Sequence, residues 1–404
     1  MCRMNVLFLT LTRNIDISSR GIYADLMRRF HREGHTLYIA SPNERRSGQP
    51  TLERVTDGVH MLGVRTLNLQ KTNVIEKGFA TLLLESQFKR AIRRHWGDVR
   101  FDLVLYSTPP ITFTEVVRWV KHRNPQAMSY LLLKDIFPQN AVDLGMFSKH
   151  SPLYTYFRRK ERALYLASDY IGCMSEANVR FVLQHNPEID PRCVEIAPNS
   201  IELQPRQSVE RNTIRQRYGL PTDKPIFIYG GNLGKPQGIP FICQALESCA
   251  NMQNCHFLII GNGTEFGRIK AWHTRLKASN ITLMQALPKS EYDMLVEACD
   301  VGLIFLDYRF TIPNYPSRLL SYLEYHMPII AATDPNSDIG TIARDNGYGL
   351  WCHSNDTKAF KAAVEHLVTH PEQIAAMGER GYDYLRKNYL VEHTYNTIVR
   401  HLKH

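Results

Sequence analysis

The feature that most constrains the fold is an alternation of short, apolar, β-rich runs with longer amphipathic stretches. This is the pattern of βαβ units, in which helices cover a sheet of parallel strands. Two such series follow one another along the 404 residues. The first predicts strands at 5–12, 36–40, 103–106, 128–133, 170–174 and 194–197. The second predicts strands at 226–229, 257–260, 281–284, 301–305, 329–332 and 349–351. The chain is therefore predicted to be an α/β protein with two parallel sheets.

The segment between the two series marks a domain boundary. Residues 199–212 are polar, lack a clear periodicity and precede a turn around Pro221. A chain of this length also accommodates two domains of ordinary size. We predict an N-terminal domain at 1–200, a C-terminal domain at 201–385 and a last helix at 386–404.

Composition excludes several classes of protein. Hydrophobic residues make up 44% and charged residues 22%, as in a folded globular chain and unlike a disordered or coiled-coil one. No apolar run approaches the roughly 18 residues of a membrane span, and the apolar start is too short for a secretory leader. The eight cysteines show neither a Cys-x-x-Cys pair nor metal-ligand spacing with histidine. We therefore expect a cytoplasmic protein without a zinc site or redox motif.

Positive charge is concentrated in the first half of the chain. Residues 1–200 contain 28 Lys and Arg against 19 Asp and Glu, whereas residues 201–404 contain 21 against 20. Such a field suits nucleic acid, an anionic membrane or a phosphorylated substrate, and no nucleic-acid-binding module accompanies it. Segments 79–96 and 154–162 mix apolar and basic residues, which predicts docking on an anionic membrane surface. Helices packed on the sheet with solvated charged faces are an equally weighted alternative.

Two glycine-rich loops follow predicted strands of the second series. In the loop 230–238, four glycines let the backbone approach a ligand, and Lys235 with helix-entrance amides would attract a phosphate. This loop has neither the Walker nor the nicotinamide-binding glycine spacing, so it supports neither an ATPase nor a nicotinamide site. A second, weaker loop begins at Gly261. The sequence predicts a diphosphate cradle at the first loop, with a tight strand-to-helix turn as the alternative.

The densest group of functional candidates lies in segment 310–324. Two prolines fix its loop, and Ser317 stands at the entrance of a predicted helix whose amides and Arg318 would meet an anion. Ser321 and Glu324 are three residues apart and share a helix face, where the carboxylate could accept hydrogen bonds from ribose hydroxyls. The alternative is a capped helix with an exposed glutamate.

Two polar segments of the first half also follow predicted strands. The loop 13–21 follows the first strand and offers candidate acceptor ligands at Ser18, Ser19, Arg20 and Gly21. Helix capping by Ser18 or Ser19 is the alternative. Asp135 lies just beyond the strand 128–133, where α/β enzymes present polar groups to substrate. We predict that Asp135 orients the acceptor or acts as a base, with a structural helix cap as the alternative.

In this order, the segments resemble glycosyltransferase family 4, the retaining, nucleotide-sugar-dependent enzymes of the GT-B fold. The similarity is greatest to bacterial enzymes of capsule, O-antigen and exopolysaccharide assembly, and it covers nearly the full length. The matching segments are Glu33-Gly34-His35, Asp135-Ile136-Phe137-Pro138, Ala197-Pro198-Asn199-Ser200, Gly231-Asn232-Leu233-Gly234-Lys235, Gly261-Asn262-Gly263, Ala298-Cys299-Asp300-Val301-Gly302-Leu303 and Pro316-Ser317-Arg318 through Met327-Pro328-Ile329-Ile330. The resemblance implies two Rossmann-like domains whose parallel sheets face each other across a cleft. It places a donor such as a UDP-sugar in the C-terminal domain and the acceptor in the N-terminal one. It also implies that the last helix, 386–404, crosses back to the N-terminal domain.

The chain departs from the family at two charged motifs. Pro313 and Ser321 stand where the family usually has Glu-x7-Glu, and Asn232 and Gln237 stand where it has a cation pair. The resemblance then implies that Lys235 and Arg318 replace those cations, so that the predicted catalytic residues are Asp135, Lys235 and Arg318. The implied donor-binding residues are Gly231, Asn232, Gln237, Gly261, Asn314, Tyr315, Ser317, Ser321 and Glu324.

The resemblance implies transfer of a sugar, with retention of anomeric configuration, in cell-surface polysaccharide synthesis. The expected acceptor is a polyprenyl-diphosphate-linked or other glycan at the inner membrane surface. No Asp-x-Asp motif is present, so we expect cations and amides, rather than a metal ion or cofactor, to neutralise the leaving diphosphate. A non-hydrolysing sugar-nucleotide 2-epimerase and a non-catalytic nucleotide-binding homologue are the alternatives.

Overall fold

The structure, a computed structural model, describes residues 3–13, 15–69, 74–204 and 210–402, and of residues 74–79 only the backbone. The chain divides into a first unit, Met1–Glu202 with Val391–His404, and a second unit, Leu203–Leu390. The predicted boundary segment 199–212 includes residues 205–209, which lie outside the described residues. The side chain of Phe79, in the predicted basic segment, also lies outside them.

The first unit alternates strands and helices as the sequence predicts, with additional elements. Its strands in the described ranges are β1 (Asn5–Leu9), β2 (Thr36–Glu44), β3 (Leu52–Thr56), β4 (Val59–Thr66), β5 (Leu103–Ser107), β6 (Met128–Leu133), β7 (Tyr170–Cys173) and β8 (Val194–Ile196). Its helices are α1 (Ile22–Arg32), α2 (Val74–Trp96), α3 (Thr114–Arg123), α4 (Gln139–Asp143), α5 (Pro152–Leu166), α6 (Glu176–His185) and, after the second unit, α15 (Val391–Val399).

These strands form one sheet in the order β3-β4-β2-β1-β5-β6-β7-β8, parallel except for β3. The hairpin of β3 and β4 was absent from the sequence prediction. Its two-residue turn is Asp57-Gly58, and both residues have positive φ, 49° and 77°. An Asp-Gly pair between two β-rich runs favours this kind of turn, so the sequence contains the information that predicts the hairpin.

The C-terminal helix α15 completes the core of the first unit. Val391, Tyr395 and Ile398 are buried with residues of β1 and α1. The Tyr395 hydroxyl lies 2.9 Å from His35 Nε2, while His35 Nδ1 accepts the Met4 amide at 3.3 Å. The last helix therefore packs in the hydrophobic core and does not lie loosely on the surface.

The second unit is a second α/β domain. Its strands are β9 (Ile226–Asn232), β10 (His256–Asn262), β11 (Ile281–Met284), β12 (Val301–Phe305), β13 (Ile329–Thr333) and β14 (Gly349–His353) in the part of the chain that the structure describes. Its helices are α7 (Arg211–Arg217), α8 (Ile239–Ser248), α9 (Phe266–Leu276), α10 (Lys289–Glu297), α11 (Arg318–Glu324), α12 (Ile339–Asp345), α13 (Thr357–Thr369) and α14 (Pro371–Asn388). The strands pair in parallel in the order β11-β10-β9-β12-β13-β14.

Each sheet contains a point where the strand order reverses direction. In the first unit it lies between β1 and β5, and in the second between β9 and β12. The connections that leave these neighbouring strands diverge to opposite faces of the sheet, which opens a crevice at the carboxyl ends of the strands. The predicted α/β fold with two parallel-sheet domains is thus confirmed, and each sheet has one preferred position for a ligand.

Among the described residues, no helix combines the length and the apolar character needed to cross a bilayer.

Candidate functional site

The crevice of the second sheet is bordered by the loop after β9 and the loop after β12. Arg318, the first residue of α11, reaches across to the β9 loop, where its Nη1 donates to the Gly230 carbonyl at 3.0 Å. Its guanidinium carbon lies 4.3 Å from the centre of the Tyr229 ring. Stacking and the hydrogen bond together hold this cation at the end of the central strand.

The charge of Arg318 is not balanced by an acidic side chain in the described part of the protein. Among the described residues, no carboxylate forms an ion pair with it, although protein largely encloses the side chain. Burial lowers the pKa of Arg318, but the oxygens of Tyr229, Tyr322 and Tyr292 outweigh this effect and raise the pKa above its usual value. An enclosed, uncompensated guanidinium attracts an anion. The sequence analysis did not place these three tyrosines at the site, because each is distant from Arg318 in sequence or has the pattern of a core residue.

The two glycine loops are packed directly on each other. A Cβ at Gly261 would lie 1.8 Å from the carbonyl oxygen of Gly231, and one at Gly263 would lie 2.1 Å from that of Leu233. Gly231 has φ of +133°, a conformation that favours glycine, and a Cβ there would lie 3.4 Å from Arg318 Nη1. Gly261 is the partner of Gly231 on the neighbouring strand β10, where a Cβ would clash with that backbone, and Gly231 lets the chain pass close to the cation.

The predicted residues of the first glycine loop have different environments. Lys235 begins a short 3-10 helix, Lys235–Gln237, and its side chain is exposed. Gln237 is buried, and its Oε1 accepts hydrogen bonds from Asn232 Nδ2 at 3.3 Å and from the Gly234 amide at 3.1 Å. Gln237 thus shapes the loop from inside, whereas Lys235 remains available to a ligand.

The loop after β12 brings Asn314 to the same edge of the sheet. Its backbone amide donates to Ser337 Oγ at 2.8 Å, and its Nδ2 is buried without a hydrogen-bond partner among the described residues. The Tyr315 hydroxyl instead bonds to that of Tyr389, and its ring packs beside the Tyr389 ring. Tyr315 therefore fixes the loop against Tyr389, and its hydroxyl is not directed to the predicted donor substrate.

Three further predicted donor residues lie on or beside α11. Ser317 precedes the helix and is exposed, but its side chain makes no capping hydrogen bond. Ser321 is half-buried on the helix. Glu324 is only 7% exposed, and its carboxylate accepts the Gln204 amide at 3.4 Å, so the alternative of an exposed glutamate is wrong.

The first unit contains a separate cleft of about 660 Å³ at its own strand-order reversal. Its walls come from the ends of β1 and β5 and from α1. The lining residues are Thr10, Leu11, Thr12, Arg13, Tyr23, Ser107, Thr108 and Pro109. Hydroxyls and one cation dominate this surface, which suits a hydroxylated ligand.

The predicted acceptor residues Ser18, Ser19, Arg20 and Gly21 are not among the lining residues of this cleft. The Ser18 amide and hydroxyl both donate to Asp16 Oδ1, at 2.8 and 2.7 Å, and the Ser19 hydroxyl donates to the Asp16 carbonyl at 2.6 Å. Neither serine caps α1, whose N-cap is Gly21. Both serine hydroxyls are therefore engaged with Asp16 in a local turn. The residue of this loop that lines the cleft is Arg13, which lies earlier in the sequence.

Asp135 is joined to this cleft through Thr108. The Thr108 hydroxyl lies 3.1 Å from the Asp135 amide and 3.0 Å from the Lys134 amide. Burial raises the pKa of the Asp135 carboxyl to about 6, although hydrogen bonds from Asn140 Nδ2, at 2.9 and 3.1 Å, oppose the shift. Burial likewise lowers the pKa of the adjacent Lys134 to about 7. Asp135 is therefore a carboxyl whose proton can exchange near neutral pH, as a base requires.

Both a protein-family model and a known relative are similar to this chain in sequence. Residues 210–384, within the second unit, match the family model "Glycosyl transferases group 1". The chain is 25% identical over 334 residues to "Probable glycosyltransferase WbjE" of Pseudomonas aeruginosa, which covers 79% of this chain and 78% of the relative.

Two solved structures show the same fold over the full length. Sucrose-phosphate synthase of Thermosynechococcus elongatus has a TM-score of 0.75 at 14% identity and covers 98% of each chain. HepE of Anabaena, solved in complex with UDP, has a TM-score of 0.69 at 12% identity and covers 98% of this chain and 99% of its own.

The fold is that of GT-B proteins, with two α/β domains built on parallel sheets. Residues 210–384 of the second unit resemble group 1 glycosyltransferases, and the chain is a transferase enzyme of the glycosyltransferase class.

The packing of the glycine loops predicts a strong effect of Gly261→Ala. The added methyl would meet the Gly231 carbonyl, a backbone group that cannot rotate away, so the free energy of unfolding should fall by about 1–3 kcal/mol. Urea unfolding followed by circular dichroism measures this loss. Gly267→Ala on α9 is the matched control, because its Cβ would meet nothing within 4 Å and should raise stability by up to about 1 kcal/mol. Equal effects of the two substitutions would contradict the packing role of Gly261.

Proposed function

We propose that this enzyme transfers a sugar from a UDP-sugar to a glycan acceptor in cell-surface polysaccharide synthesis, with retention of anomeric configuration. The observation that carries the proposal is Arg318, a largely enclosed guanidinium that lies beside the first glycine loop of the matched segment 210–384 and has no acidic partner among the described residues. A nucleoside diphosphate supplies the missing negative charge. The UDP in the HepE complex supports the choice of nucleotide.

In the proposed reaction, the bond between the sugar and the β-phosphate breaks as the acceptor hydroxyl attacks the anomeric carbon. Negative charge grows on the departing diphosphate, and fixed cations lower the energy of that state. Arg318 is fixed by its stack on Tyr229, whereas Lys235 is exposed and can follow the ligand. The proposal includes no metal ion and no cofactor beyond the donor.

The acceptor is proposed to bind the first unit at the cleft that contains Arg13, Ser107 and Thr108. Asp135 then takes the proton of the attacking hydroxyl or orients that hydroxyl. This assignment is supported by the Thr108 hydroxyl, which links the cleft wall to Asp135, and by the raised pKa of the carboxyl. A lipid-linked glycan is the proposed acceptor class.

Removing a phosphate-binding cation should weaken nucleotide binding. We expect Lys235→Ala to raise the dissociation constant of UDP about 10- to 100-fold, the effect of losing one hydrogen bond to a charged group. Arg318→Gln should act in the same direction and more strongly, since the lost guanidinium is enclosed. Isothermal titration calorimetry measures both, and Lys358→Ala, an exposed lysine on α13, is the control. Normal UDP affinity in both site variants would contradict the proposal, as would conversion of UDP-GlcNAc to an epimer without acceptor.

The role of Asp135 predicts a pH dependence of transfer. Because the folded-state pKa is raised to about 6, the carboxyl is protonated below that pH and cannot accept a proton. The rate of transfer should therefore rise with pH through about 6 and level off above it. Asp135→Asn should lower transfer about 10²- to 10⁴-fold while UDP affinity stays unchanged. A pH-independent rate between 5 and 7 in the wild type would contradict this role.

The structure favours one of the two basic segments for membrane docking. On α5, three of the four cations of segment 154–162 form ion pairs within the protein, so we base the membrane proposal on the other segment, 79–96. The ion pairs are Arg158 with Glu161, Lys160 with Glu85 and Arg162 with Glu188. Paired cations contribute little to attraction by anionic lipid.

On α2, by contrast, apolar and basic side chains share the exposed surface. Leu82 and Leu83 are 55% and 45% exposed, and Arg90 and Arg93 are exposed without an ion pair among the described residues. Leu82, Arg90 and Arg93 lie on one stripe of the helix by their spacing. We propose that this α2 surface docks on the anionic inner leaflet, where each basic residue contributes about 1 kcal/mol.

Vesicle flotation tests the α2 surface. The protein should float with vesicles of phosphatidylcholine and phosphatidylglycerol at low salt, and much less with phosphatidylcholine alone. Arg90→Ser with Arg93→Ser should lower the floated fraction several-fold, and so should Leu82→Ser with Leu83→Ser. Arg344→Ser, an exposed arginine of the second unit, should leave it unchanged. Equal flotation by all variants would rule out this surface.

A further inference from the structure

The loop that follows β13 contains a buried carboxylate that the sequence prediction did not include. Asp334 is fully buried, and its Oδ1 accepts the amides of Asn336 and Ser337 at 2.9 and 2.8 Å. Its Oδ2 accepts the Ser337 hydroxyl at 2.8 Å. Three hydrogen bonds compensate the loss of hydration at this group. With its hydroxyl hydrogen directed to Asp334, Ser337 presents only its oxygen lone pairs to other partners.

One of those lone pairs holds the loop after β12. Ser337 Oγ accepts the backbone amide of Asn314 at 2.8 Å, and Asn336 Nδ2 donates to the Phe310 carbonyl at 2.7 Å. The segment 334–337 is therefore hydrogen-bonded to the β12 loop at two residues, Phe310 and Asn314, which are four positions apart. Between these points Ile312 is buried, so the short segment has little freedom to move.

The segment 310–314, held in this way, ends at Asn314, whose side-chain nitrogen lacks a hydrogen-bond partner among the described residues. Asn314 Nδ2 is buried, and no described residue accepts a hydrogen bond from it. A buried donor without a partner is costly unless a ligand completes its hydrogen bond. Arg318 is four residues further along the same segment and carries the charge that a diphosphate needs. A neutral amide is suited instead to a hydroxyl, which can both donate and accept.

We infer that Asp334 and Ser337 are positioning residues, which fix the backbone of Asn314 so that its side-chain amide meets a hydroxyl of the donor sugar. This inference rests on the proposed function, because it assigns the sugar end of the same donor. It separates two tasks within the site: the cations bind the diphosphate, and the Asp334–Ser337–Asn314 chain of hydrogen bonds binds the sugar.

The separation of tasks is tested by comparing UDP with the UDP-sugar. The donor is first chosen as the UDP-sugar that the wild-type enzyme hydrolyses fastest in a panel. Ser337→Ala removes the hydroxyl that accepts the backbone amide of Asn314. It should raise KM for that donor about 10-fold and leave the dissociation constant of UDP within twofold of wild type. Ser337→Thr keeps the hydroxyl and should restore KM. Asp334→Asn should shift KM in the same direction as Ser337→Ala.

A double-mutant cycle distinguishes positioning from general loosening of the domain. Asn314→Ala should itself raise KM, and adding Ser337→Ala to it should raise KM no further, because the positioned side chain is already gone. Asp356→Ala is the matched control, since this carboxylate caps α13 through the Ala359 amide at 2.9 Å, away from the loop. It should change neither KM nor UDP affinity.

The outcomes separate this inference from the proposed function. Failure of the wild-type enzyme to bind UDP or hydrolyse any UDP-sugar would overturn both. Normal UDP binding by the wild type, with an unchanged KM in Ser337→Ala and Asp334→Asn, would overturn only the inference. Equal losses of UDP and UDP-sugar affinity in Ser337→Ala would show a merely structural role and overturn it as well.

Discussion

The account of the second unit depends on one largely enclosed cation, Arg318, which has no acidic partner among the described residues. Arg318 is held by the Tyr229 ring and the Gly230 carbonyl, and both come from the strand at the reversal point of the sheet. Enclosing a guanidinium costs free energy that neutral partners only partly offset. In the proposed function, a bound diphosphate supplies the negative charge that these neutral partners lack.

Close backbone packing makes this arrangement possible. Gly231 has a φ of +133°, which side chains rarely adopt, and Gly261 pairs with it from the neighbouring strand β10, where a Cβ would lie 1.8 Å from the Gly231 carbonyl oxygen. The Pro236 carbonyl accepts the Asp307 amide at 2.9 Å, which ties the first glycine loop to the loop after β12. Backbone contacts between neighbouring segments therefore fix the first glycine loop beside Arg318.

Sequence periodicity was sufficient for most of the parallel strands, because buried strands of such sheets form continuous apolar runs. It was insufficient for the antiparallel edge strand β3, whose residues are mostly exposed, and for its neighbour β4, which pairs in parallel with β2, even though Asp57-Gly58 indicates their turn. Glycine spacing and Arg318 could be identified as site candidates from the sequence. The roles of Gln237 and Tyr315 could not, because each depends on a partner that only the folded loop supplies. The same holds for Asp334, which fixes the Ser337 hydroxyl that in turn accepts the backbone amide of Asn314 in the β12 loop.

The most direct test of the central claim is a crystal structure of the enzyme with UDP bound. The account predicts that the diphosphate lies beside Gly231, with the Arg318 guanidinium and the Lys235 ammonium within hydrogen-bonding distance of its oxygens. UDP bound elsewhere in the molecule, with Arg318 still in contact only with Gly230 and Tyr229, would contradict it.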